Sequence, residues 1–161
     1  TMGYASWFST LGPYGQLSGL ASGLPLEERG FYTGAQAVDA LSQLDVRGRS
    51  LKLISLMCDL PNMILSALMF GALIGFGIRR LGLVRPGWNA LFVLPTAFFV
   101  ADLAEDCFLA LTVFTGSEIL GLIAGVMTAL KFLTYIPAAL LGLGLGAARL
   151  IAWFIKGRPK D

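Results

Sequence analysis

The sequence predicts an all-α protein, a polytopic transmembrane helical bundle, from its composition, its hydropathy and three long apolar segments. Of the 161 residues, 56% are hydrophobic and 14% are charged, whereas a soluble domain is about 25% charged. The mean hydropathy is +0.74. The segments 53–78, 89–114 and 119–153 each exceed the roughly 20 residues that cross a bilayer. We therefore expect a single membrane domain over residues 1–161 with three transmembrane helices, the lipid bilayer being one partner.

The N-terminal segment, 1–26, carries no charge and is rich in glycine, proline and serine. Gly15, Gly19 and Gly23 recur at every fourth residue, a spacing that lets helices approach closely in lipid. Pro13 interrupts the segment, which is only mildly apolar. We interpret it as an interfacial segment or partial span, and a fourth transmembrane helix at this end is the alternative.

A short surface helix is predicted over 33–44. Thr33 and Gln36 fit a capping box, which satisfies the first backbone N–H groups of a helix. Apolar residues from Val38 to Leu44 then recur on one face. We expect this amphipathic helix to lie on the membrane surface or to pack on the bundle.

The first predicted span, 53–78, contains one charge, Asp59. Its length of about 39 Å is enough to cross a bilayer with some tilt. Pro61 predicts a bend close to that carboxylate. Asp45 predicts a helix start before the span, and we interpret Lys52 as part of the basic flank that leads into it.

The second predicted span, 89–114, carries three carboxylates near its centre. Asp102, Glu105 and Asp106 are spaced i, i+3 and i+4, so they share one face of a helix. Ionisable groups at this depth are costly unless they are paired, protonated or in contact with water. They therefore indicate a functional site or a polar packing core.

The third predicted span, 119–153, follows a predicted hairpin at 115–118. Asp102 lies thirteen residues before the hairpin and Lys131 thirteen residues after it, so both lie about 20 Å from the turn. An antiparallel helix pair would bring them level, and an ion pair is the least costly way to bury both. In this interpretation Lys131 is the only basic residue buried in a span.

These side chains form the predicted polar cluster, whose members are Asp59, Asn62, Asp102, Glu105, Asp106 and Lys131. One lysine cannot neutralise four carboxylates, so protons, a water-filled pocket or cations from a partner would have to do so. Three interpretations stay open: a structural polar core, a site with chemistry or ion coupling, and a docking surface for other membrane subunits. We disfavour a metal site made of Cys58, Asp59, Asp106 and Cys107, because adjacent residues on a helix point apart. We predict no metal and no cofactor.

Several classes of function are disfavoured by composition. The chain has no histidine, which removes the usual haem ligand and the usual base at neutral pH. It has no phosphate-binding loop and no Cys-x-x-Cys motif. The net charge of +2 and basic residues that flank the apolar segments argue against nucleic acid as a partner.

Basic residues near the span ends predict the orientation. Lysine and arginine concentrate on the cytoplasmic side of a membrane. The side with more of them has Arg79, Arg80, Arg85, Arg149, Lys156, Arg158 and Lys160. We therefore expect the C-terminus on the cytoplasmic, matrix or stromal side of a bacterial or organellar inner membrane.

Several short motifs resemble a known pattern. They are Gly30-Phe31-Tyr32-Thr33 before an amphipathic helix, Val46-Arg47-Gly48-Arg49, Asp102-Leu103-Ala104-Glu105-Asp106 and Thr128-Ala129-Leu130-Lys131. With them the chain resembles a group of small uncharacterised bacterial four-span membrane proteins, in which an acidic-x-x-acidic-amide motif lies in the third span. Asp106 stands where that pattern has the amide. The resemblance implies a membrane helix bundle and no particular activity.

The expected function is that of a non-catalytic accessory subunit in a larger membrane complex, for example respiratory or photosynthetic. Catalytic residue types are scarce, and glycine-rich helix faces suit close packing against other membrane proteins. The alternative is a stand-alone membrane enzyme or proton-coupled carrier that uses the polar cluster.

Overall fold

The computed structural model describes residues 12–18, 26–83 and 86–156, and every regular element among them is helical, as predicted. We number the α-helices α1 (Pro13–Ser18), α2 (Gly34–Ser42), α3 (Val46–Arg80), α4 (Val93–Thr115) and α5 (Glu118–Lys156). Short 3-10 helices cover Leu26–Glu28 and Pro86–Phe92. Most of the predicted N-terminal segment, 1–26, lies outside the described residues.

Helix α2 begins with the predicted capping box. The backbone N–H of Gln36 donates to Thr33 Oγ1 at 3.3 Å, and the N–H of Thr33 donates to Gln36 Oε1 at 2.9 Å. The helix buries Gly34, Ala37 and Leu41 and packs against α5 and α4. Helix α2 therefore packs on the bundle, which was one of its two predicted locations.

Helix α3 begins earlier than the predicted span. The side chain of Asp45 accepts a hydrogen bond from Gly48 N–H at 2.7 Å and caps the helix, as expected for that residue. The helix then continues through Pro61 to Arg80. Because it starts at Val46, Lys52 lies within its second turn.

Helices α4 and α5 form the predicted antiparallel hairpin. Gly116 ends α4 in the left-handed conformation, with φ of 63°, and its N–H donates to the carbonyl of Thr112 at 2.8 Å. Only glycine adopts this backbone conformation readily, so it allows the tight turn into α5. Helix α3 packs along both arms of the hairpin.

Two helical segments are long and apolar enough to cross a membrane, Val46–Arg79 and Glu118–Ala148. In their most apolar 18-residue stretches only 28% and 22% of the residues are buried, whereas a core helix of a soluble protein would be mostly buried. Helix α4, the remaining predicted span, has 23 residues but three carboxylates. Length and composition therefore identify two candidate spans among the described residues rather than the three that we expected.

The bundle buries several polar side chains together with its apolar core, and it exposes many large apolar side chains. Asp102, Glu105 and Asp106 are all buried, while Met57 is 77% and Leu133 is 68% exposed. A distribution with buried carboxylates and many large exposed apolar side chains is unusual when water is the solvent. It is the distribution expected when the outer surface contacts lipid.

Candidate functional site

Lys131 lies at the centre of the buried polar residues. Its Nζ is 3.0 Å from Asp102 Oδ1 and 2.6 Å from Glu105 Oε2. The side chain of Glu105 is fully buried, and that of Asp102 is 6% exposed. The pairing of Asp102 with Lys131, predicted from their equal distances to the hairpin, is confirmed, and Glu105 is an additional partner.

Three carboxylates converge beside Lys131, and one of them is its partner Asp102. One oxygen each from Asp59, Asp102 and Asp106 lies within 4.8 Å of the others. Asp102 and Asp106 are one turn apart on α4, and Asp59 reaches them from α3. Asn62, one turn after Asp59, donates through Nδ2 to Asp59 Oδ1 at 3.3 Å. The structure thus brings all six predicted residues together.

Lys52 is a buried member of the site that the sequence interpretation missed. Its side chain is 3% exposed, and the charges of Asp106, Glu105 and Asp59 act on its ammonium group. The expectation that Lys131 is the only buried basic residue was wrong, because the predicted span began at residue 53 and the helix begins at Val46. The available signal was the i, i+3, i+4, i+7 spacing of Lys52, Ser55, Leu56 and Asp59, which places them on one helix face. We call Lys52 and the six predicted residues the acid–lysine cluster.

Tyr32 closes the hairpin end of the cluster and was also missed as a site residue. It is fully buried, and its backbone oxygen contacts Gly125 so closely that a side chain at that position would overlap it. Burial, and then the negative charge of Glu105, raise the pKa of the Tyr32 hydroxyl, which stays protonated at neutral pH. Thr128 faces this hydroxyl but donates its own proton to the carbonyl of Ala124 at 3.0 Å.

The charges of the acid–lysine cluster do not balance. Four carboxylates face two ammonium groups, which leaves an excess of two negative charges when all are ionised. Asp106 Oδ2 and Glu105 Oε1 are buried and have no hydrogen-bond partner among the described residues. A buried charge without compensation costs several kcal/mol, on the order of the penalty for transferring one ion into a protein interior. The arrangement is therefore suited to accepting positive charge.

A cavity of about 420 Å³ between α3 and α4 reaches the cluster. Its walls are apolar, with Leu56, Met63 and Leu103 among them, and Asp106 is the one carboxylate among the described residues that line it. The cysteines do not join the carboxylates: Cys107 is exposed and Cys58 is half-buried. The metal site that we disfavoured, with two sulfur ligands, is not assembled in the described part of the chain.

No family model, curated protein or solved structure matches this chain. The chemistry of the acid–lysine cluster is therefore the guide to the function of this chain.

Proposed function

We propose that this chain is an integral membrane protein that acts as a proton- or cation-coupled carrier through the acid–lysine cluster. The observation that carries the proposal is a formal excess of two negative charges, when all groups are ionised, among six described side chains between three helices, four of them buried and two half-buried. Protons or a cation must compensate that excess in the native state. A group that must take up positive charge inside a membrane is the basic requirement of a coupled carrier.

The position of the cluster supports a location in the membrane. Asp102 and Lys131 lie about 20 Å from the hairpin along their helices, and α3 and α5 are the two candidate spans. We place α4 in the membrane as the third span, because its carboxylates point inward and its outward side chains, such as Val100, are apolar. The excess of basic residues near the C-terminus favours the cytoplasmic, matrix or stromal side for that end, in a bacterial or organellar inner membrane.

A purely structural polar core is less well supported than a carrier. A polar network that only fixes helix packing is favourable when every member is satisfied. Lys131 satisfies Asp102 and one oxygen of Glu105, yet Asp106 Oδ2 has no hydrogen-bond partner in the described residues. The unsatisfied oxygen of Asp106 favours a site that binds a proton or a cation over a network that only holds the helices together.

The carrier proposal is tested with the purified chain in liposomes. A membrane potential is imposed, and the flux of protons or of divalent cations is followed with a dye inside the vesicles. We expect a flux through the wild type that Asp106→Asn abolishes. Glu118→Gln is the matched control, because it removes an exposed carboxylate at the hairpin and is expected to keep the flux. A folded wild-type protein that carries neither ion faster than empty liposomes would exclude the carrier.

The second candidate function is that of an accessory subunit in a larger membrane complex. A groove of about 750 Å³ runs along α3, lined by Gly71, Ala72 and Gly75, with Arg79 and Phe92 at its edges. A Cβ atom at Gly71 would meet no described atom within 4 Å, so a helix of another protein could approach there.

Other glycines of the helices pack against residues of this chain and leave no free surface there. Gly121 contacts Ala37, Gly125 contacts Tyr32, and Gly77 contacts Leu145. The small-residue faces therefore support the accessory role less strongly than the sequence suggested. Gentle extraction from native membranes, followed by a native gel and mass spectrometry, tests it: co-migration with a larger complex supports a subunit, and a lone particle excludes it.

A further inference from the structure

We propose that Asp59, Asp102 and Asp106 form a binding site for one hard divalent cation, of the class of Mg²⁺, Mn²⁺ and Ca²⁺. The inference rests on the proposed function, since it names the ion that the acid–lysine cluster accepts. Three features carry it: the geometry of the oxygens, a buried oxygen without a partner, and the charge balance.

The three carboxylate oxygens are spaced as ligands of a single ion would be. They lie within 4.8 Å of one another. Two oxygens on opposite sides of a Ca²⁺ ion, each at about 2.4 Å, are about 4.8 Å apart, and around Mg²⁺ the same distance is about 4.2 Å. One ion between Asp59 on α3 and the two residues on α4 can therefore contact all three carboxylates.

The side chain of Asp106 is a separate indication of a ligand. Asp106 is 7% exposed, and its Oδ2 is buried without a hydrogen-bond partner among the described residues. Leaving a buried acceptor unsatisfied costs about 1–3 kcal/mol, and more when it is charged. A cation between Asp106 and its two neighbours would satisfy this oxygen.

The charge of the ion matches the charge of its surroundings. The acid–lysine cluster has an excess of two negative charges, and one divalent cation removes it. Asp102 can bind the ion while it keeps Lys131, since a carboxylate has two oxygens and Lys131 lies 3.0 Å from Oδ1. Lys131 would then hold Asp102 in position for the ion without touching the ion itself, as Asn62 holds Asp59.

The donor atoms determine the chemical class of the ion. Carboxylate oxygens suit Mg²⁺, Ca²⁺ and Mn²⁺, whereas sulfur and imidazole ligands favour Zn²⁺ and copper. The chain has no histidine, and the neighbouring Cys107 is exposed and is not part of the group of converging oxygens. An all-oxygen site therefore favours a hard cation.

Binding of Mn²⁺ to the purified full-length chain tests the site. The protein is stripped with a chelator and dialysed against Mn²⁺, and bound ions are counted by equilibrium dialysis and by loss of the free Mn²⁺ signal in electron paramagnetic resonance. We expect one Mn²⁺ per chain, displaced by excess Mg²⁺ or Ca²⁺. Asp106→Asn and Asp59→Asn should each weaken binding more than about tenfold, while Glu118→Gln should bind as the wild type does.

A second measurement covers the case in which a variant fails to fold. Mn²⁺ should raise the unfolding temperature of the wild type, because an ion that binds only the folded state stabilises it. A chelator should reverse this shift in unfolding temperature. The measurement uses only the wild type, so it does not depend on whether a variant folds. A folded wild type that binds no Mn²⁺, or equal binding by Asp106→Asn and Glu118→Gln, overturns the inference.

The two proposals fail in different ways. Proton flux that depends on Asp106, in a protein that binds no Mn²⁺, excludes the metal site and keeps the carrier. One bound Mn²⁺ per chain with no ion flux in liposomes keeps the metal site and excludes the carrier.

Discussion

Lys131 Nζ on α5 lies 3.0 Å from Asp102 Oδ1 on α4, and the two residues are equally far along the chain from the hairpin that joins their helices. The same ammonium group lies 2.6 Å from Glu105 Oε2. Lys131 therefore holds two carboxylates of α4 against α5, and the loss of this one cation leaves both without an ion-pair partner.

Lys131→Met is expected to destabilise the folded protein. Removing one partner of a buried ion pair costs on the order of 3–5 kcal/mol, because the other charge stays buried without compensation. The free energy of unfolding in mixed detergent micelles measures the effect. Arg47→Met, at an exposed position near the start of α3, is the control and should change stability little.

A triple variant without these three charges tests whether the ion pair explains the loss of stability. Adding Asp102→Asn and Glu105→Gln to Lys131→Met removes the uncompensated charges, so much of the stability should return. A triple variant no more stable than Lys131→Met alone would contradict the ion-pair explanation.

Gly125→Ala should separate the segment around Tyr32 from α5. The added Cβ would overlap the backbone oxygen of Tyr32, and neither backbone can move away without losing its packing. We expect a loss of about 1–3 kcal/mol or more in the free energy of unfolding. Gly144→Ala, an exposed position on the same helix with no described atom within 4 Å of the new Cβ, should be neutral or favourable by up to about 1 kcal/mol. Equal effects of the two substitutions would contradict the close contact.

Stability should fall at alkaline pH because of Tyr32. Its pKa is raised in the folded state by burial and by Glu105, so the unfolded chain loses this proton first. The contribution of the protonated Tyr32 hydroxyl to the free energy of unfolding is fully present below about pH 10, the usual tyrosine pKa. Above that pH it is lost, at up to about 1.4 kcal/mol per pH unit. Unfolding measured from pH 8 to 11 should show a steeper decline for the wild type than for Tyr32→Phe, whereas parallel curves would refute a buried hydroxyl.

Cys107 reports whether α4 lies in the membrane. Its side chain is exposed on the bundle surface, so in water a maleimide reagent would label it readily. In a bilayer a thiol on the lipid-facing surface should react slowly with a charged maleimide and rapidly after denaturation, since the reactive thiolate requires water. Thr115→Cys, at the exposed end of α4, is the positive control. Equal labelling of the two sites would place α4 outside the lipid and leave only two spans.

Local patterns in the sequence were enough to predict the helical fold class and many residues of the candidate site. The capping box at Thr33, the cap at Asp45 and the glycine that ends α4 act within a few residues of the chain. The pairing of Asp102 with Lys131 was predictable for a similar reason, since a short hairpin sets the register of the two helices that it joins.

Other members of the site depend on how distant segments pack. Asp59 meets Asp102 and Asp106 because α3 presents one particular face to the hairpin, and Lys52 is buried because that helix starts a full turn or more before the apolar segment. Tyr32 reaches the cluster because Gly125, far along the chain, leaves room for its backbone.

The sequence by itself therefore determined that the protein is helical, where two helices are capped, and that Asp102 faces Lys131 across a short turn. The tertiary structure alone decided which three carboxylate oxygens converge, that Lys52 is buried beside them and that Tyr32 lies at the hairpin end of the cluster. The physical reason is that capping and short turns act locally, whereas the convergence of α3, α4 and α5 depends on the rotation of each helix about its axis. That rotation is set by side-chain packing between residues far apart in the chain.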